Sequence, residues 1–237
     1  MIIYASYSDV GGRPYNEDTV AFSQTDEDHL CAVLADGLGG HGGGKTASEE
    51  AVHTILEGWT SAKTPEDVNA MVMKAHRRVL EHQTAVCKMK TTVVVLSVEP
   101  RRAVWAYAGD SRLYHFIDGK LVFQTRDHSA SQIAVFMGQI KPEEIRFHED
   151  RSRIFRALGQ ESGLTVDVQE EELSCGQHAF LLCSDGFWEY VYEEEMEREL
   201  KLSASPKEWL ERMKQLLDGR AGKENDNNTA AAVWLSV

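Results

Sequence analysis

Cysteine is scarce in this sequence: four residues in 237, at Cys31, Cys87, Cys175 and Cys183, with no Cys-x-x-Cys pair among them. That spacing excludes the common zinc and redox motifs. Three of the four lie in apolar, strand-like surroundings, which suits buried reduced thiols better than a disulfide framework. Proline is also sparse, at five residues, and there is neither a low-complexity linker nor an internal repeat. Nothing marks a boundary, so a single domain over 1–237 is expected. Apolar runs fall far short of the ~20 residues a membrane span requires. The opening segment from Met1 to Pro14 lacks a basic n-region and a long apolar core, so a cytoplasmic protein is expected. Basic residues are the last shortage: 25 Lys and Arg stand against 38 Asp and Glu, a formal net charge of −13. A chain of that sign has no field to attract nucleic acid or an anionic membrane. Its acids form either a solvated surface or a group gathered to hold cations.

The apolar residues that are present fall into clear patterns. Strands are expected at about 2–7, 20–23 and 29–35. Two helices follow: Ala47, Ala51, Ile55 and Trp59 recur every fourth residue, and Val68, Met71, Val72, Ala75 and Val79 repeat the stripe. Thr64, Pro65, Glu66 and Asp67 supply cap, first-turn proline and acidic first turn for the second helix. From Thr91 to Thr125 four strand-like runs follow one another with only turn-length breaks, the last pair joined by Asp118-Gly119. Four strands without crossover helices make an antiparallel meander. Residues 129–160 read as irregular or helical, 166–173 and 179–185 as strands, 206–217 as a helix and 229–237 as a final strand. The class is α+β built on antiparallel sheet.

The glycine-rich stretch from Asp36 to Thr46 fits two well-known phosphate-binding patterns. Gly37, Gly39 and Gly42 match the dinucleotide fingerprint, and Gly39, Gly44, Lys45 and Thr46 match a P-loop. The first needs an acidic residue ending a second parallel strand about 20 residues on. Glu57 instead falls inside the helix, and no strand appears until Thr91. A P-loop needs a parallel sheet with helical crossovers, which the meander contradicts. A P-loop ATPase or GTPase using Gly39–Thr46 stays as the rival reading.

A third reading starts from Asp36 itself. Apolar runs end in Asp36-Gly37, Asp110-Ser111 and Asp185-Gly186, while Asp226 precedes the final strand and Glu17-Asp18 the strand at Val20. A single Asp-Gly is ordinarily a turn, and that reading serves for Asp118-Gly119. Repeated at several strand ends it implies converging carboxylates, which cannot all ionise without cations between them. An oxygen-only ligand set favours Mg²⁺ or Mn²⁺ and suggests a two-metal hydrolase.

These residues stand within a larger set: Arg13 to Asp18, Ala35 to His41, Lys90-Thr91-Thr92, Gly109 to Arg112, Asp127-His128-Ser129, Arg156 to Gly159, Cys183 to Trp188 and Asp226 to Thr229. In content and order the set resembles the metal-dependent protein serine/threonine phosphatases of type 2C, the PPM family, in their compact bacterial form. The resemblance implies two packed antiparallel β-sheets flanked by helix pairs, a four-layer αββα sandwich, with a flap at about 129–160. It implies hydrolysis of phosphoserine and phosphothreonine by a metal-bridged water, countering a bacterial Ser/Thr kinase. Two core Mn²⁺ or Mg²⁺ ions are implied, with a third more weakly held.

By the same resemblance, Asp36 bridges the two ions, Asp185 and Asp226 bind one, and the Gly37 carbonyl binds the other. Glu17 holds a metal-bound water, and Asp110 with Asp185 holds the third ion. Arg13 grips the phosphate with a planar fork that suits it better than a lysine. Asp18 supports the site or makes a local turn. Some relatives carry a histidine two residues after the bridging aspartate; here that position is Leu38, and His41 is the neighbouring candidate acid, with an exposed loop role as the plainer reading. A phosphoprotein-binding pseudophosphatase is a further alternative, disfavoured because each expected ligand position carries the right residue type. His128 is read as ordering a loop, the five tryptophans as packing, and Glu193 to Glu199 as a solvated helix face. Lys141, Arg146, Arg151, Arg153 and Arg156 form a less acidic patch expected to help dock phosphopeptides.

Overall fold

The computed structural model describes residues 1–38, 43–60 and 64–237. Two five-stranded sheets carry the fold. One orders its strands β1 (Ile2–Asp9), β12 (Asn228–Ser236), β11 (Gln177–Cys183), β8 (Arg112–Ile117) and β9 (Lys120–Gln124). The other runs β10 (Asp167–Glu172), β7 (Arg102–Ala108), β6 (Val93–Glu99), β3 (His29–Ala35) and β2 (Thr19–Asp26). A two-residue pair, β4 (Gly37–Leu38) with β5 (Lys90–Thr91), stands apart. Every strand pair among the described residues is antiparallel.

The inner strands read as nearly continuous apolar runs because both of their faces are covered. In β3, Leu30, Ala32 and Leu34 point between the sheets, where they meet Leu96, Trp105, Phe180, Leu182 and Val233. The alternate residues Cys31, Val33 and Ala35 face α1 (Gly44–Gly58) and α2 (Pro65–His82) through Ala47, Ala51, Ile55 and Val72. On the opposite side Leu181, Cys183 and Ala232 meet Met196, Trp209, Met213 and Leu217 of α5 (Glu193–Leu202) and α6 (Pro206–Arg220). Helix pair, sheet, sheet and helix pair make four layers. Thr64 and Asp67 close a reciprocal capping box at the start of α2. Asp118 and Gly119 both adopt positive φ, 48° and 74°, the turn that matches strand twist.

Between the sheets lies one buried polar ladder. His178 Nε2 donates to the Ser174 carbonyl at 2.8 Å, so its Nδ1 accepts from His115 Nε2 at 2.9 Å. His115 Nδ1 then faces Glu171 at 3.3 Å, with the ring stacked on Phe180. Burial, then the neighbouring His178, hold the His115 pKa down at about 3. A depressed folded pKa contributes stability that is complete above the unfolded value of ~6.5 and is lost as pH falls toward 3. His115→Gln should therefore flatten the acid limb of the stability curve, by up to ~1.4 kcal/mol per pH unit below pH 6. Urea unfolding at pH 7, 6 and 5 reads the slope. Parallel slopes in both proteins would remove His115 from the acid limb.

Candidate active site

Antiparallel alternation gathers the acids at one end of the sandwich. β3 and β7 both pair with β6, so they run the same way and end together, leading into Asp36 and Asp110. The end of β11, leading to Asp185, lies beside the start of β12, which follows Asp226. Thr19 pairs with Ala35, which brings Glu17 and Asp18 to the same end. Asp18 and Asp110 are buried, while Asp36, Asp185, Asp226 and Glu17 remain partly open to solvent.

These carboxylates lie in one another's field. Burial, and then Asp18, Asp185, Asp110 and Asp226, push the Asp36 pKa well above the carboxylate range. Asp185 is raised well above it too, by burial and then by Asp110, Glu189, Asp226 and Asp18. Burial first, then Asp127, lifts Asp110 to about 7, and burial lifts Asp18 to about 6. Glu189 is a carboxylate of this neighbourhood that the sequence reading left out. Among the described residues, no three acidic, histidine or cysteine side chains already form a closed ligand group. Two of the acids are turned elsewhere: Arg13 closes its fork on Asp226 at 2.9 and 2.8 Å, and Ser184 Oγ donates to Asp18 at 2.9 Å. The other oxygen of Asp18 is buried without a hydrogen-bond donor.

The backbone beneath the acids is pinned. Thr92 N–H and Thr91 Oγ1 both donate to the Asp36 carbonyl at 2.8 Å, and the Asp36 N–H donates to Thr92 Oγ1 at 3.0 Å. Thr92 Oγ1 in turn lies 2.7 Å from Ser111 Oγ, tying the Asp36 and Asp110 turns together. Asn227 Oδ1 accepts the Glu17 N–H at 2.8 Å. A Cβ on Gly44 would lie 2.7 Å from both Glu17 Oε1 and the Gly37 carbonyl oxygen, so only glycine lets those two oxygens converge there. Thr91, Thr92 and Asn227 stand inside motifs quoted above, but nothing in their residue type declared these roles.

Trp188 ends α4 (Asp185–Trp188), the short helix that Asp185 opens. Its indole N–H donates to the Asp110 carbonyl at 2.9 Å, and the Arg112 guanidinium lies over its ring at 3.6 Å. Arg146 donates to the Trp188 carbonyl at 2.7 Å and grips Glu193 with its other nitrogen. His128 orders the loop as expected: its N–H donates to the Gly109 carbonyl, and its Nδ1 accepts the Gly109 N–H.

Other expectations change. Arg146 is buried, and Arg151 pairs with Glu189, so neither is free to dock a phosphopeptide. Buried carbonyls and partner carboxylates consume the charge that local sequence made look available. The glutamates of α5 are likewise not simply solvated: Glu193 holds Arg146, Glu195 holds Arg220 and Glu197 holds Lys120. The P-loop reading fails on the antiparallel sheets and on Lys45, whose Nζ is bound to the Asp18 carbonyl and Thr19 Oγ1. His41, with Gly39, Gly40 and Gly42, lies outside the described residues.

Comparison with known proteins agrees with this geometry. Residues 11–225 match the family model described as protein phosphatase 2C. The chain is 32% identical over 199 residues to "Serine/threonine phosphatase stp" of Listeria monocytogenes, covering 80% of this chain and 79% of that protein. It is 32% identical over 189 residues to "Protein phosphatase PhpP" of Streptococcus pneumoniae, covering 76% of each. The Mycobacterium tuberculosis serine/threonine phosphatase PstP superposes with a TM-score of 0.83 at 30% identity, over 100% of this chain and 99% of that one. A second structure, the catalytic domain of PstP in complex with two manganese ions, gives 0.79 at 28% identity over 98% and 97%. With the acids gathered at one end of two antiparallel sheets and the match running through all of them but Asp226, the chain belongs to the protein phosphatase 2C family.

Proposed function

We propose that this chain hydrolyses phosphoserine and phosphothreonine in proteins, using Mn²⁺ or Mg²⁺, and that it opposes a Ser/Thr kinase in the cytoplasm. The observation that carries the reading is the mutual field of Asp36, Asp18, Asp110 and Asp185 at one sheet end. The residues fit divalent cations: every donor is oxygen, Asp18 keeps a buried oxygen without a donor, and Glu17 Oε1 and the Gly37 carbonyl converge beside Gly44.

Asp36, Asp185, Asp226 and the Gly37 carbonyl would hold two ions, with Glu17 reaching one through water. Asp110 with Asp185 would hold a third. When bound, such ions supply a deprotonated water near neutral pH and positive charge for the phosphoryl oxygens. The chain's own part is to hold and orient. Arg13 is exposed and carries the planar fork that a phosphate accepts. Here that fork is closed on Asp226, and the guanidinium would be free for substrate were the Asp226 carboxylate engaged by a cation. Asn227 and Ser48 hold the backbone of Glu17, while Ser184 braces the buried Asp18 beside it. No serine, cysteine or histidine is assigned as a nucleophile, and residues 129–160 are read as a flap beside the opening. A pseudophosphatase would have no use for this costly convergence of acids.

Aryl phosphate and a phosphothreonine peptide test the reading. Both should be turned over with Mn²⁺, stop with EDTA and recover when Mn²⁺ is restored. Metal-independent turnover, or none at any Mn²⁺ concentration, would sink it.

A further inference from the structure

The helix α3 (Ala130–Phe136) buries Ala134 and packs Val135 against the core, yet it turns other apolar side chains outward. Its polar Ser131 and Gln132 are buried, whereas Ile133 is 42% exposed, Phe136 64% and the following Met137 69%. An ordinary surface helix turns its apolar stripe inward, and grouped exposed apolar side chains mark a contact face. Phe136 stands between two cavities of about 520 and 530 Å³ that share Gln124, Arg126 and Phe136. The first lies where β9 and β10, the edge strands of the two sheets, come near one another, with Val122 on its rim.

The charges of this groove are unequal. Asp127 gives both oxygens to Arg112, and Asp167 is held by Arg156 and His128. Arg126 is exposed, its guanidinium 5.7 Å from the Phe136 ring, and no carboxylate among the described residues pairs with it. A free arginine beside an exposed phenylalanine is unusual in a protein of net charge −13, and the pair is the type that anchors interfaces. Glu143 lines the second cavity and would repel an acid there, which confines the acidic contact to the Arg126 side. His128 lines the groove and is bonded both ways to Gly109, so an occupant lies beside the turn that carries Asp110.

We propose that this groove docks an extended segment of the phosphoprotein substrate, remote from the phosphorylated residue. That segment carries an acidic residue for Arg126 next to an apolar one for Phe136, Ile133 and Met137. The inference rests on the phosphatase reading and names what that site recognises beyond the phosphate. It moves the docking determinant from Arg146 and Arg151, which the fold consumes, to Arg126 and Phe136.

The test compares wild type, Arg126→Glu and Phe136→Ala on aryl phosphate and on phosphothreonine peptides. The peptides share one phosphosite and differ only in a Glu-Leu or a Lys-Ser tail at several spacings. At the best spacing the Glu-Leu tail should lower the wild-type KM about five-fold, the worth of ~1 kcal/mol. Both variants should lose that gain, while all three proteins keep the same aryl phosphate rate. Fluorescence anisotropy of the unphosphorylated tail gives a readout free of turnover, and Arg126→Glu should abolish its binding. If no form hydrolyses aryl phosphate but the tail still binds through Arg126, the phosphatase reading fails and the docking groove stands. A wild-type KM and anisotropy indifferent to the tail at every spacing overturn the groove. So does a wild-type dimer that Phe136→Ala makes monomeric without changing the peptide KM, since a second copy would then be the occupant.

Discussion

Asp36→Asn should abolish phosphatase turnover, by at least about a thousand-fold, and should stabilise the metal-free protein at pH 8. The first effect follows from position. Asp36 stands in the field of four other carboxylates, so its loss removes the charge that a cation pair would share. Losing a single preorganised electrostatic partner already costs on the order of 10²–10³ in rate elsewhere. The second effect follows from the same crowding. A carboxyl whose folded pKa is raised contributes stability that is complete below its unfolded pKa of ~3.9 and is lost as pH rises through the folded value. Asp18 titrates at about 6 and Asp110 at about 7, with Asp36 and Asp185 raised further, so the metal-free protein should weaken from about pH 4 upward. Asparagine in place of Asp36 removes one charge from that repulsion. Thermal unfolding in chelator at pH 5 and pH 8 measures it. A variant that keeps a tenth of the wild-type rate, or one that gains nothing at pH 8, contradicts the assignment.

Arg112→Ala should cost about 3–5 kcal/mol of folding stability, the range for breaking a buried ion pair from one side. Arg112 and Asp127 side chains are 3% and 1% exposed and meet through two parallel 2.8 Å bonds. Arg112 also donates to Tyr114 Oη at 3.1 Å and lies over Trp188. Without it, Asp127 stays buried with neither of its oxygens held by a guanidinium. Because Trp188 also holds the Asp110 carbonyl, Mn²⁺ binding by calorimetry should weaken in the same variant. Replacing both partners, Arg112→Met with Asp127→Leu, should recover much of the stability, since two apolar groups leave no orphan charge. Urea unfolding of the single and double variants decides this. A loss below ~1 kcal/mol in Arg112→Ala would show that the pair is not what holds this turn.

Local pattern was enough wherever burial is periodic along the chain. The hairpins β6–β7 and β8–β9, the paired stripes of α1 and α2, and the cap at Thr64 are written in residue spacing. The single meander expected over 91–125 is not what forms: the chain passes from one sheet to the other between β7 and β8. Asp36, Asp110 and Asp185 were legible for a related reason: each follows an apolar strand, and a carboxylate there cannot be hidden by its neighbours in sequence. Long-range pairing was a different matter. That Arg146 and Arg151 are spent on Glu193 and Glu189, some 40 residues away, depends on how the segment 142–151 folds back on α4. Thr92 reaching Ser111, and Trp188 reaching Asp110, are likewise contacts between segments distant in sequence.

By itself, then, the sequence determined the antiparallel strands, the helix stripes and the acids at strand ends, because period and composition record which faces meet water. The four layers were implied by the family resemblance. Only the tertiary structure decided which charges remain available. An ionisable side chain is consumed or left free by partners that topology brings to it. That is why Arg146 was drawn into the interior and Arg151 and Arg156 were taken up by Glu189 and Asp167, while Arg126 stayed exposed beside Phe136.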